Sequence, residues 1–104
     1  MQVFFTLRQF DASDDLKALI ESKLAKRIEK LVHDETSEVR VTLATEKAWT
    51  IVDFQVNAWG EAFKCVEKTT TDLYPTIDLV IDKLERQLLK RKEMAKDRRV
   101  RREA

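Results

Sequence analysis

Residues 72–92, DLYPTIDLVIDKLERQLLKRK, constrain the fold most, because they predict one long helix whose side chains sort by type onto three faces. The apolar residues recur at spacings of three and four and form one stripe: Leu73, Ile77, Val80, Ile81, Leu84 and Leu88. At about 100° per residue, a basic strip forms from Lys83, Arg86 and Lys90. An acidic strip lies between these two and contains Asp78, Asp82 and Glu85. Solvated helices usually mix their charges, so this sorting indicates a basic surface with a function.

The apolar stripe needs a second layer to pack on, and the preceding residues predict a sheet. Residues 37–45, 50–58 and 62–69 alternate apolar with polar side chains and are separated by short polar connections. Residues 2–9 predict one more strand. Gly60, the only glycine, stands where a hairpin turn uses a permissive backbone. Short connections favour an antiparallel meander for the last three strands.

A further helix is predicted for about residues 14–32. Ser13 suits the N-cap position, because its hydroxyl can accept a hydrogen bond from an unpaired first-turn amide. The expected buried stripe is Leu16, Leu19, Ile20, Leu24, Ile28 and Leu31. Lys23, Lys26, Arg27 and Lys30 cluster along one flank of that stripe. They are either solvated side chains whose stems cover the edge of the core or part of a basic surface.

The element order β-α-β-β-β-α predicts an α+β fold. Both helices carry one apolar stripe, so the simplest arrangement is a two-layer sandwich with both helices on one face of a four-stranded sheet. Asp72 is the expected cap of the last helix, and Pro75 is tolerated in its first turn. This fold allows the two basic flanks to lie side by side as a positive groove or ridge. Such a surface suits a phosphate backbone.

The net charge of +1 conceals an asymmetry along the chain. Residues 1–82 carry a balance of −5 and residues 83–104 a balance of +6, which points to a polyanion, either nucleic acid or an anionic membrane surface. At 104 residues the chain predicts one domain, residues 1–95, followed by a basic, disordered tail at 96–104. That tail serves either solubility or non-specific attraction to RNA.

Other residue types argue against several protein classes. The chain has no apolar run long enough to span a bilayer and no signal-peptide pattern, and its single cysteine fits a reducing, cytoplasmic setting. His33 and Cys65 lack the partners of a metal site or a nucleophile. Asp82 is expected to pair with Arg86, four residues on. We expect no enzyme, no cofactor, no metal and no small-molecule substrate.

Trp49 and Trp59 flank the third predicted strand. Both could stack on nucleic-acid bases, but caps at the ends of the core are the commoner role for such residues. We therefore expect both indoles to cover the core.

The last helix carries a more specific pattern: Tyr74, Ile77-Asp78, Asp82-Lys83-Leu84, Arg86-Gln87-Leu88, Lys90 and Lys92. Together with Thr6, Arg8, Ser13, Leu16, the segment 23–30 and Glu46-Lys47, it resembles the ribosome hibernation promoting factor family, over nearly all of residues 1–95. Leu7 stands where the family usually has glycine, and Trp49, Trp59 and Pro75 are atypical. The chain resembles the short class, which lacks a C-terminal dimerisation domain.

This resemblance implies a fold like that of double-stranded-RNA-binding domains. It implies binding to the small ribosomal subunit, at the channel for mRNA and tRNA, with inhibition of translation and ribosome hibernation in stress or stationary phase. The free protein is expected to be a monomer that does not bind membranes. Contacts with rRNA are implied for Lys83, Arg86, Gln87 and Lys90, and also for Arg8, Lys23, Lys26, Arg27 and Lys30.

One alternative from a different class stays open at this point. The chain could be a protein-interaction module that uses a sheet edge or the end that carries a tryptophan, with a basic tail for solubility and no ribosome binding. Sedimentation with purified subunits distinguishes the two interpretations.

Overall fold

The computed structural model describes the backbone of residues 1–103 and the side chains of residues 1–94. Its elements are β1 (Gln2–Arg8), α1 (Asp14–Leu24), a π-helical turn (Ala25–Glu29), α2 (Lys30–Val32), β2 (Glu38–Glu46), β3 (Trp49–Ala58), β4 (Glu61–Thr69) and α3 (Leu73–Glu103). We call the continuous helical run 14–32 the N-terminal helix. The predicted order is confirmed. The predicted tail at 96–104 falls on residues whose side chains lie outside the described part, so its disorder stays a prediction.

The four strands form one sheet in the order β1-β2-β3-β4. Strands β2, β3 and β4 form the predicted antiparallel meander, with Phe54 opposite Val41 and Cys65. Strand β1 pairs with β2 in parallel, with Val3 opposite Val39. A parallel pair needs a crossover connection, and the N-terminal helix provides it.

Both helices cover one face of this sheet, as the apolar patterns predict. The inward residues of the central strands are buried: Val39, Val41, Leu43, Val52, Phe54 and Val56. The stripe of α3 packs against them through Ile77, Val80, Ile81, Leu84 and Leu88, each with no exposed surface. Burial of this apolar area is the main stabilising contribution to the domain.

The N-terminal helix departs from regular α-helical geometry for a reason that its sequence contains. Its buried residues follow a strict spacing of four: Leu16, Ile20, Leu24, Ile28 and Val32. In a regular α-helix each such step drifts by about 40°, so the stripe would leave the core within a few turns. The π turn at Ala25–Glu29 takes more residues per turn and reduces that drift. Leu31, predicted to be in the stripe, is therefore half-buried, and Val32 is buried in its place.

The predicted caps are confirmed at both helices. The Ser13 hydroxyl accepts a hydrogen bond from the Leu16 amide at 3.1 Å. The Asp72 carboxylate accepts one from the Tyr74 amide at 3.1 Å. Each side chain satisfies one of the amides that the first helical turn leaves without a backbone partner.

Trp59 fastens the β3–β4 turn to the end of the N-terminal helix. Its indole Nε1 donates a hydrogen bond to the Val32 carbonyl at 3.1 Å, and its backbone amide donates one to Asp34 at 3.3 Å. Trp59 and Gly60 form a two-residue turn in which both residues have positive φ, 55° and 74°, as a type I′ hairpin requires. Trp59 packs against the core as expected.

The same expectation is wrong for Trp49. Its indole is 40% exposed on the sheet face away from the helices, and the Lys68 ammonium lies 4.5 Å from the ring centroid. The inward positions of β3 are the even-numbered ones, so the odd-numbered Trp49 points to the opposite face.

We expect the substitution Trp59→Phe to lower the free energy of unfolding by about 1 kcal/mol, because it removes the donor to the Val32 carbonyl. Urea denaturation measures this difference. Trp49→Phe is the matched control, since it keeps an aromatic ring beneath Lys68, and its loss should be smaller. Equal losses for the two variants contradict the role given to the Trp59 indole.

Asp34 makes the stability of this region depend on pH. Hydrogen bonds from the Thr36 hydroxyl, the Thr36 amide and the Trp59 amide hold the pKa of Asp34 below its ordinary value of 3.8. A depressed pKa adds stability above the unfolded value, and that stability is lost as the pH falls through the folded value. Between about pH 5 and about pH 2, Asp34→Asn should therefore lose less unfolding free energy than the wild type. Urea denaturation across this pH range measures the difference, and an equal loss for the variant and the wild type contradicts the role given to the Asp34 carboxylate.

Candidate nucleic-acid interface

A row of ion pairs joins the two helices on the side away from the sheet. Lys23 Nζ donates to Asp78 Oδ1 at 2.7 Å, and Arg27 Nε donates to Glu85 Oε2 at 3.0 Å. Arg27 Nη2 also donates to Asp82. We call these five residues the ion-pair seam. Lys23 and Arg27 are one helical turn apart, as are Asp78 and Asp82, so the two helices run side by side in the same direction.

The seam answers one question that the sequence leaves open and corrects one expectation. Lys23 and Arg27, on the basic flank of the N-terminal helix, face the acidic strip of α3 rather than its basic strip. The acidic strip borders the core-facing stripe of α3, and that border is the side on which the N-terminal helix packs. The predicted pair of Asp82 with Arg86 is wrong, because Asp82 bonds to Arg27.

The electrostatics of the seam are dominated by Arg27. Hydrogen bonds to Glu85 and then to Asp82 raise the pKa of its guanidinium. The side chain is 34% exposed, so each pair stabilises the fold by at most about 1 kcal/mol. Two cations face three carboxylates, and the seam carries a formal charge of −1.

Two rows of basic residues border the seam on its solvent side. Lys26 and Lys30 form the N-terminal row, and Arg86 and Lys90 form the C-terminal row. All four are exposed, and within residues 1–94 none of them is part of an ion pair. Lys26 precedes Arg27 and Arg86 follows Glu85; Lys26 and Arg86 are exposed whereas Arg27 and Glu85 are half-buried, so the rows lie further from the sheet than the seam does. The helical face therefore presents two positive rows with the seam, of formal charge −1, between them.

Lys83 and Gln87, the other two α3 residues for which the family resemblance implies rRNA contact, have side chains that bond to β4. Lys83 Nζ donates to the Glu67 carboxylate, and this bond raises the pKa of Lys83. Gln87 Nε2 donates to the backbone carbonyl of Lys64 at 3.3 Å. Sequence reasoning missed these contacts, because the partners lie 16 and 23 residues away and give no local signal. Lys83 and Gln87 thus fasten the helix to the edge strand.

Arg8 lies on the opposite side of the molecule. Along β1, Val3, Phe5 and Leu7 are half-buried beneath the helices, whereas the alternate residues, Arg8 included, are exposed. The sheet separates Arg8 from both basic rows, so the structure does not bring it together with the other eight implied residues.

The remaining candidate residues have ordinary surroundings. His33 is exposed and adopts a left-handed backbone at the end of the N-terminal helix, with φ 47°. Burial raises the pKa of the Cys65 thiol, and a thiol is a weaker nucleophile than a thiolate. Among the described residues, no three His, Cys, Asp or Glu side chains are grouped so that they could hold a metal ion. No helix in the described part of the chain is both long and apolar enough to cross a membrane.

Comparisons with known proteins identify the family of this chain and several relatives. Residues 3–96 match the family described as Sigma 54 modulation protein / S30EA ribosomal protein. The chain is 34% identical over 93 residues to a ribosome hibernation promoting factor from Azotobacter vinelandii; the match covers 89% of this chain and 84% of the relative.

Two solved structures have a similar fold. A ribosomal subunit interface protein from Coxiella burnetii is 32% identical, with a TM-score of 0.77 over 89% of this chain and 99% of that one. The N-terminal domain of Protein Y from Thermus thermophilus is 25% identical, with a TM-score of 0.68 over 84% and 91% of the two chains. On the family match over residues 3–96, the chain belongs to the Sigma 54 modulation protein / S30EA ribosomal protein family.

Proposed function

We propose that the protein binds the small ribosomal subunit through its helical face and holds the ribosome in an inactive, hibernating state. The observation that carries the proposal is the pair of exposed basic rows, which form no ion pair within residues 1–94, on the helical face of a chain in this family. Relatives named ribosome hibernation promoting factor and ribosomal subunit interface protein support it. The activity is cytoplasmic and non-enzymatic, and rRNA at the mRNA and tRNA channel is the partner.

The chemistry of the two rows fits an RNA backbone. Lys26, Lys30, Arg86 and Lys90 place four cations on one face, and each cation that meets a phosphate releases a condensed counterion. Affinity therefore falls steeply with salt, with a slope set by the number of phosphates contacted. The Arg86 guanidinium can also contact a phosphate through two parallel hydrogen bonds.

The nine residues implied by the resemblance separate into three groups on this surface. The two exposed rows are the proposed primary contacts. Lys23, Arg27, Lys83 and Gln87 already have partners within the protein, so contact with RNA requires them to share or exchange those partners. Arg8 can meet rRNA only through the opposite face of the sheet, at a separate part of the subunit.

We expect Lys26→Gln/Lys30→Gln and Arg86→Gln/Lys90→Gln each to reduce the slope of log K against log salt by about 1.5 for binding to purified small subunits, at about 0.7–0.9 per phosphate contact. Sedimentation or fluorescence anisotropy at several salt concentrations measures the slope. The control is Arg40→Gln/Lys47→Gln, which changes the charge equally, outside the helical face, and leaves the slope unchanged. The proposal is wrong if the wild-type protein does not bind small subunits at low salt.

Inhibition of translation follows from the same contacts. In a cell-free translation reaction, added wild-type protein should lower the yield of a reporter, and Arg86→Gln/Lys90→Gln should require a higher concentration for the same effect. The ratio of the two concentrations should match the ratio of their affinities for small subunits. Full inhibition by a variant that no longer binds small subunits contradicts this mechanism.

A further inference from the structure

We infer that Arg27 is a positioning residue of the proposed rRNA-binding surface, which fixes the N-terminal helix against α3 and so sets the spacing of the two basic rows. The inference rests on the proposed function and deepens it. It separates the residues that contact phosphate from those that hold the contacting residues in place. Lys23 assists Arg27 through its own pair with Asp78.

The charge of the seam disfavours direct contact between Arg27 and phosphate. The guanidinium lies between Asp82 and Glu85, so a phosphate that approaches its remaining N–H groups also approaches two carboxylates. The local balance of these three residues is −1. The N-terminal and C-terminal rows each carry +2, so phosphate is attracted to the rows rather than to the seam.

The geometry of Arg27 suits a clamp. Its Nε and Nη2 atoms bond to carboxylates that lie three residues apart on α3, so one planar group bridges nearly one turn of the neighbouring helix. A lysine ammonium is a point charge on a flexible stem and cannot fix two directions in this way. Arg27 also lies within the π turn at Ala25–Glu29.

Each row contains a residue that is next to a seam residue in the sequence. Lys26 precedes Arg27, and Arg86 follows Glu85. Within the part of the chain whose side chains are described, the seam contains all the side-chain hydrogen bonds between the two helices. A change in the seam therefore alters the separation of the rows, while the apolar core still holds each helix on the sheet.

Arg27→Lys and Arg27→Gln together test the inference on purified small subunits. If Arg27 acts as a clamp, lysine cannot take over its role. Both variants should then bind small subunits about two- to fivefold more weakly than the wild type, the range that loss of such ion pairs implies. Their salt slopes should equal the wild-type slope, because no phosphate contact is removed. Binding is measured well below the unfolding temperature, with circular dichroism to show that both variants are folded, so a loss of stability alone does not change the result.

A direct phosphate contact gives the opposite pattern. Arg27→Lys then keeps the wild-type affinity and slope, and Arg27→Gln reduces the slope by about 0.7–0.9. That outcome overturns the inference.

The proposed function and this inference fail in different ways. If wild-type protein does not bind small subunits, or if Arg86→Gln/Lys90→Gln leaves the salt slope unchanged, the proposed surface is wrong. If the row variants behave as expected but Arg27→Lys binds like the wild type, only the positioning role is wrong.

Discussion

Two helices that run in the same direction over one face of a sheet must bring one flank of each together, and the charges on those flanks determine the surface that results. Here the flank of the N-terminal helix is basic and the adjoining flank of α3 is acidic, so they form a row of ion pairs. If both flanks were basic, repulsion across the contact would oppose the packing of the helices on their shared core. The acidic strip therefore makes it possible to carry many cations on the helical face of a small domain.

Local signals in the sequence predicted the elements well. Ser13 and Asp72 cap helices, and Gly60 takes a positive φ in a hairpin, because these roles depend on a few neighbouring residues. The apolar stripe of α3 predicted its buried face, because periodicity survives in any fold that covers one side of a helix. The stripe of the N-terminal helix was predicted less well, because Leu19 and Leu31 were assigned to it and Val32 was not, so the strict spacing of four that accompanies the π turn was not recognised.

The arrangement of the candidate site was harder to predict from the sequence. Arg27 meets carboxylates 55 and 58 residues away, and nothing local shows which flank of α3 will face the N-terminal helix. Asp82 had an equally good partner in Arg86 by helical spacing, and tertiary packing decided between them. Periodicity likewise placed Trp49 and Trp59 at the two ends of one strand but did not show that they face opposite sides of the sheet. Charge patterning thus predicted that a basic surface exists but not its division into two rows.

The parallel pairing of β1 with β2 bears on the order in which the chain assembles. The β2-β3-β4 meander joins neighbours through short turns, so its loops close at little entropic cost. Strand β1 pairs with residues about 36 positions away, Val3 with Val39, and the intervening helix must form the crossover. Contacts between distant residues form slowly. We therefore expect β1, although it precedes the meander in the chain, to be among the last elements to pair, as an added edge of the sheet that the meander forms.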